Sequence, residues 1–214
     1  MSKKFTMALP QLPTVLAKLD DVAIDDESSL EACQIQALLF SGKARAVNID
    51  EVVLERPLFI GAQLEKMIAR DLVVKGGDLS ACRAWESSLL RSRLDGCRMT
   101  GWDINRGICR DVIFEDCKLD MANFRFTKLR HVVFRRCIMV ETDFVQADLQ
   151  DVVFEECHME RVEFGHTTFK NVDFRSSDII SISGWQYLKG VTIDQGQLMA
   201  AAPYLANELG IIVD

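Results

Sequence analysis

Cys97, Cys117, Cys137 and Cys157 recur at a spacing of twenty residues, and Cys33, Cys82 and Cys109 complete a set of seven. Thiols can ligate zinc, form disulfides or act as nucleophiles. A zinc site draws on tight pairs such as C-x-x-C, and the sequence has none. An odd total, with no export signal in the first thirty residues, argues for reduced thiols. Free cysteine is among the most buried residue types, so these residues are expected to fill a core as small apolar groups. The three histidines, His131, His158 and His166, fall in phases that point to the surface. No glycine-rich phosphate loop, H-E-x-x-H or G-x-S-x-G motif occurs. Carboxylates are plentiful, but an acid/base pair needs a pocket to shift its pKa. The expectation is a protein that is not an enzyme, with no catalytic residue, no metal and no cofactor.

What positions these residues is a five-residue beat. From Leu79 to Ile179 every fifth residue is apolar, among them Leu89, Met99, Leu119, Leu129, Met139, Leu149 and Met159 and the phenylalanines at 114, 124, 134, 144, 154, 164, 169 and 174. With about half of all residues apolar, twenty-one such hits in succession would arise by chance on the order of once in a million. Two residues before each of these centres stands a small or β-branched residue, for example Ala122, Thr127, Val132, Cys137 and Thr142. Trp102 is the exception, and a distortion or an outward swing of its side chain is expected there. Neither a helix of period 3.6 nor a strand of period 2 sustains a period of five. Short extended segments joined by regular corners do, with the small residue and the centre facing inward and the other three outward.

Residues twenty apart also sort by type. Cys97, Cys117, Cys137 and Cys157 stand beside Met99, Leu119, Met139 and Met159, whereas Val112, Val132, Val152 and Val172 stand beside Phe114, Phe134, Phe154 and Phe174. Four segments therefore close one turn, and stacking between successive turns supplies the stability, as in other repeat proteins. The motif of a small residue, Asp or Asn, then Leu or Phe is visible in Ala122-Asn123-Phe124, Thr142-Asp143-Phe144, Ala147-Asp148-Leu149 and Val172-Asp173-Phe174. It resembles the pentapeptide-repeat family. The resemblance implies an all-β solenoid, a right-handed quadrilateral parallel β-helix, and leaves function open because the family's roles are many.

Three regions follow. Residues 1–46 are expected as one short N-terminal helix, from Leu12, Val15, Leu16 and Leu19 at helical spacing, then an acidic connection and an irregular first coil in which Gln34 breaks the beat. Residues 47–182 carry the repeat. Residues 183–214 form a cap: Asp194 and Gln197 read as a capping box, Gly210 as a C-cap, Pro203 as a kink or a break between two helices, and residues 211–213 as a short strand. Leu198, Ala202, Leu205 and Leu209 make one apolar face. This tail resembles the cap of the family's DNA-gyrase-protecting members, which implies a homodimer joined there.

With 25 basic and 32 acidic residues the net charge is −7, which argues against direct binding to nucleic acid, and no run is apolar enough for a membrane span. A cytoplasmic protein is expected. Just before the centres of the valine and phenylalanine columns stand Val53, Val73, Ile113, Val133 and Val153, which mark either an interaction face or the preference of strands for β-branched residues. In the same position of the preceding segment stand Asp103, Asn123, Asp143 and Glu163. They read either as a solvated face or as an acidic stripe that imitates a line of phosphates. Two functions are expected from this surface. One is a protein-interaction module that mimics duplex DNA toward a type II topoisomerase, DNA gyrase or topoisomerase IV. The other is a structural or regulatory scaffold that binds another protein without mimicry.

Overall fold

One residue in five turns the corner by entering the left-handed region of backbone space. In the computed structural model, which describes residues 5–20, 22–208 and 210–212, the corner residues Arg106, Asp111, Asp116, Met121, Phe126, His131 and Arg136 have φ between 49° and 59°. Few are glycine, although a side chain in this conformation costs about 1–2 kcal/mol. The cost is offset by what each corner permits: a parallel ladder in which Ser88 pairs with Ile108, Ile108 with Lys128, Lys128 with Asp148 and Asp148 with Thr168. Every step is twenty residues, so four five-residue segments make one turn of a parallel β-solenoid. The longest strands, Ser88–Asp95, Ile108–Glu115, Lys128–Arg135 and Asp148–Glu155, each span two segments.

The centres fill the interior. Phe114, Phe134, Phe154 and Phe174 stack face to face with centroids 4.8–4.9 Å apart, and Phe124, Phe144 and Phe164 do the same at 4.8–5.3 Å. Between the two columns the rings meet edge to face, as in the 89° pair of Phe124 and Phe134. The stacking distance equals the spacing of paired strands, about 4.8 Å, so the ladder itself holds the rings in a favoured aromatic geometry.

The small inner position also carries hydrogen bonds. The hydroxyls of Ser87, Thr127, Thr142, Thr167 and Ser177 donate to carbonyls twenty-three residues back, at 2.7–3.2 Å. The thiols of Cys117, Cys137 and Cys157 point at the equivalent oxygens at 3.4 Å. All seven cysteines are buried and free, and these three double as weak donors to the centre carbonyl of the turn below. Burial pushes the Cys82 thiol up to about 12.

Several expectations are corrected. Trp102 is 3 % exposed and sits in an undisturbed ladder, bridged through Asp103 to Arg83 and Asn123. It packs against Phe114 and Phe124 and lines a cavity of about 30 Å³ shared with Cys82, Ala84 and Leu89. The small residues of the turn below leave the room that an indole needs. Among the described residues no N-terminal helix forms. Residues 5–16 are irregular, and Ala17–Leu19 is a strand paired with Cys33–Gln36. Pro10 and Pro13 hold the residues before them extended, and the N–H groups of Ala8 and Gln11 are taken by Asp111 and Asp71, so the helical spacing is overridden by tertiary bonds. Residues 29–45 are not irregular but already wound, with one turn of nineteen: Leu30 pairs with Ile49 and Ile35 with Leu54, while Ala44 pairs with Leu64. The residue missing between Phe40 and Ala44 displaces the beat, and Ile35 rather than Gln34 takes the centre. At the other end one helix, Gln195–Glu208, runs through Pro203 in a single piece, and Ile211 and Ile212 are exposed coil rather than strand. Val213 lies outside the described residues.

The cap does carry its expected box. Gln197 N–H donates to Asp194 Oδ1 and Asp194 N–H to Gln197 Oε1, both at 2.8 Å. The Gln197 amide also donates to the carbonyls of Phe174 and Ser177 at 2.7 Å. Gln197 lies twenty-three residues beyond Phe174, so it continues the inner hydrogen-bond rhythm with a longer side chain. Gly210, at φ 70°, closes the helix, with its N–H bonded to Asn207 and that of Ile211 to Ala206.

Candidate interaction surface

With the interior filled by side chains, the polar chemistry lies on the outside and at the ends. Val53, Val73, Ile113, Val133 and Val153 do fall in one column, joined through Arg93 and ending at Asp173. The column is not an open strip. Val53 and Ile113 are only 5 % and 6 % exposed, and the other three are half-buried.

Asp103, Asn123, Asp143 and Glu163 form the second column. Asp103, Asn123 and Asp143 each accept from the backbone N–H two residues on, at 2.8–3.0 Å. Asp78 and Asp173 do the same in other segments. A short carboxylate or amide in this position closes a local turn, which accounts for the Asp/Asn of the repeat motif. Asp103 also accepts from the Trp85 indole at 2.6 Å, and Asp143 from Arg125 at 2.9 Å. Glu163, one methylene longer, accepts instead from Ser183 on the next turn. The stripe is thus largely spent on the fold.

Charges elsewhere alternate along the columns. Asp50 pairs with Arg70, Lys66 with Glu86, Asp71 with Arg91, Asp116 with Arg136, and Glu141 with Arg161, each across one turn. The densest cluster surrounds Glu115, which accepts from Arg93 and Arg136 at 2.6 Å, with Arg135 at 3.5 Å. Arg136, with Arg93 and Arg135, holds its carboxyl below the usual range despite burial. His131 lies between Asp111 at 3.2 Å and Asp151 at 3.8 Å. Among the described residues no group of His, Cys, Asp and Glu is placed to hold a metal ion, and no helix is long and apolar enough to cross a membrane.

On the C-terminal helix, the expected stripe is split. Leu205 packs partly buried against the core, Leu198 is 49 % exposed, and Ala202 is exposed; Leu209 lies outside the described residues. The inward anchor is Ala201, 1 % exposed, because the Gln197 amide sets the rotation of the helix. What faces out is a groove of about 510 Å³ lined by Met199, Ala202, Pro203, Ala206, Asn207 and Ile211. Met199 and Ile211 were not legible as surface residues, since their direction depends on how the helix is set against the end of the solenoid, where the Gln197 amide makes its two bonds.

A family model described as a pentapeptide repeat region matches residues 107–183 and 127–199. Residues 107–199 are thus a pentapeptide repeat region, and the chain is similar to that family over this stretch. A search of curated proteins finds no significant match. Solved structures with a similar course include a trypsin-treated variant of QnrB1, a plasmid-mediated fluoroquinolone resistance protein, at 20 % identity and a TM-score of 0.50, covering 94 % of this chain and 99 % of that one. HetL, a pentapeptide repeat protein involved in heterocyst differentiation regulation from the cyanobacterium Nostoc sp. strain PCC 7120, has 15 % identity and a TM-score of 0.43, covering 86 % and 92 %. The likeness to the QnrB1 structure concerns the fold alone.

Proposed function

We propose that the protein is a non-catalytic interaction scaffold: a right-handed, four-sided solenoid that pairs with a second copy through its C-terminal helix and offers its outer columns to a protein partner. The reading is carried by the apolar groove on the outside of that helix, where Met199 is 70 % and Ile211 55 % exposed. Exposed apolar surface of this kind marks an association site. Sedimentation is expected to give twice the 24.2 kDa chain mass, and Met199→Glu is expected to give the monomer with the solenoid intact. A wild-type monomer at tens of micromolar would refute the pairing.

The likeness in fold to a fluoroquinolone resistance protein supports a second reading, a cytoplasmic duplex-DNA mimic acting on DNA gyrase or topoisomerase IV without itself binding nucleic acid. The turn bonds of Asp103 and Asp143 and the alternating ion pairs favour the scaffold over the mimic. A supercoiling assay with purified gyrase and a quinolone separates them: protection or inhibition supports mimicry, and neither supports the scaffold alone.

A further inference from the structure

Residues 5–16 sit on the solenoid rather than in it. From the strand Ala17–Leu19, whose first N–H donates to Ala32 at 3.0 Å, this segment doubles back along the outside. Gln11 N–H donates to Asp71 Oδ1 at 2.9 Å, Ala8 N–H to Asp111 Oδ1 at 3.2 Å, and the Phe5 ring stacks on His131 at 5.5 Å and 22°. Ala32, Asp71, Asp111 and His131 all belong to one column of left-handed corner residues. The segment therefore straps about five turns, roughly 24 Å at the spacing of paired strands. It passes two residues from Val73, Ile113 and Val133, and Ile113 is 6 % exposed although its register points outward. The strap itself is lightly held. Among the described residues its backbone makes only those two bonds to the solenoid, both to side-chain carboxylates, whereas each strand beneath it bonds along its length.

We propose that the strap is a built-in occupant of a peptide-docking surface, displaced when an extended apolar segment of a partner protein binds the same column. The chemistry of the partner segment is read from the strap: backbone N–H groups for Asp111 and Asp71, an aromatic ring for His131, and apolar side chains in the places of Met7 and Leu12, which are half-buried. This deepens the scaffold reading and rests on it. A segment that must leave before a partner binds lowers the apparent affinity by the fraction of time the surface is open, and weakly bonded peripheral segments open most readily.

The test uses the full chain and a fluorescent peptide of residues 5–16. In the wild type the Ala8 and Gln11 amides should exchange with solvent about 100-fold faster than those of Lys128–Arg135. A full-length Phe5→Ala/Leu12→Ser variant should bind the peptide about ten-fold more tightly than the wild type, and adding Asp111→Ala should remove that gain. Strap amides as protected as the strands, or equal peptide affinity in both proteins, would overturn the proposal. Because the peptide probes the surface directly, such a failure beside an intact dimer would refute the strap alone and leave the scaffold standing.

Discussion

Replacing Phe134 with leucine tests whether the herringbone of rings stabilises the solenoid beyond simple burial. Phe134 is fully buried. It stacks at 4.9 Å on both Phe114 and Phe154 and meets Phe124 and Phe144 edge on at 5.8 Å and 6.0 Å. Leucine keeps an apolar side chain there, so the loss is mainly the four aromatic pairs, each contributing about 0.5–1.5 kcal/mol. Because the pairs share one site and relax together, about 2–4 kcal/mol in total is expected. Phe114 has one stacked phenylalanine, one edge contact and the tilted Trp102, so Phe114→Leu should cost about 1 kcal/mol less. Urea unfolding followed by circular dichroism and by tryptophan fluorescence measures both. Turns couple only to their neighbours, so the two signals should separate in Phe134→Leu, with Trp102 on one side of the defect and Trp185 on the other. A cost below about 1 kcal/mol for Phe134→Leu, or no difference between the variants, would mean that the rings act only as volume.

Thr142→Val removes a buried hydroxyl that donates to the Leu119 carbonyl at 2.8 Å, and urea melts should register a loss of about 1 kcal/mol. Gly77→Ala would put a methyl 2.4 Å from the Pro57 oxygen at a φ of 95°, so a loss of about 3 kcal/mol or more is expected in the same measurement. Because the folded carboxyl of Glu115 is depressed by Arg136, Arg93 and Arg135, its stabilisation is present above the unfolded value near pH 4.3 and fades as pH falls below it. Thermal melts across this range should therefore show a steeper acid loss for the wild type than for Glu115→Gln. Met121→Gly relieves a left-handed methionine that is 55 % exposed, with φ 55°; differential calorimetry should find it neutral or slightly stabilised, unlike Met→Gly in ordinary strands.

The five-residue beat from Leu79 to Ile179 determined the solenoid, its inward residues and its twenty-residue turn, because inward facing depends only on position within a segment and every turn repeats the same local choice. The capping box of Asp194 and Gln197 was equally legible, being a contact between neighbours in the chain. Where the outcome depended on residues distant in sequence, local pattern misled. Trp102 fits because Ala84 and Cys82 on the turn below are small. Leu12, Val15 and Leu16 have helical spacing, yet residues 5–16 lie as a strap because Asp71 and Asp111 offer acceptors that a helix would not use. The acidic stripe reads as charge in sequence, and only the folded segment reveals that Asp103 and Asp143 close turns. Tertiary structure alone decided which outward positions remain free, since exposure depends on what other parts of the chain come to rest upon them.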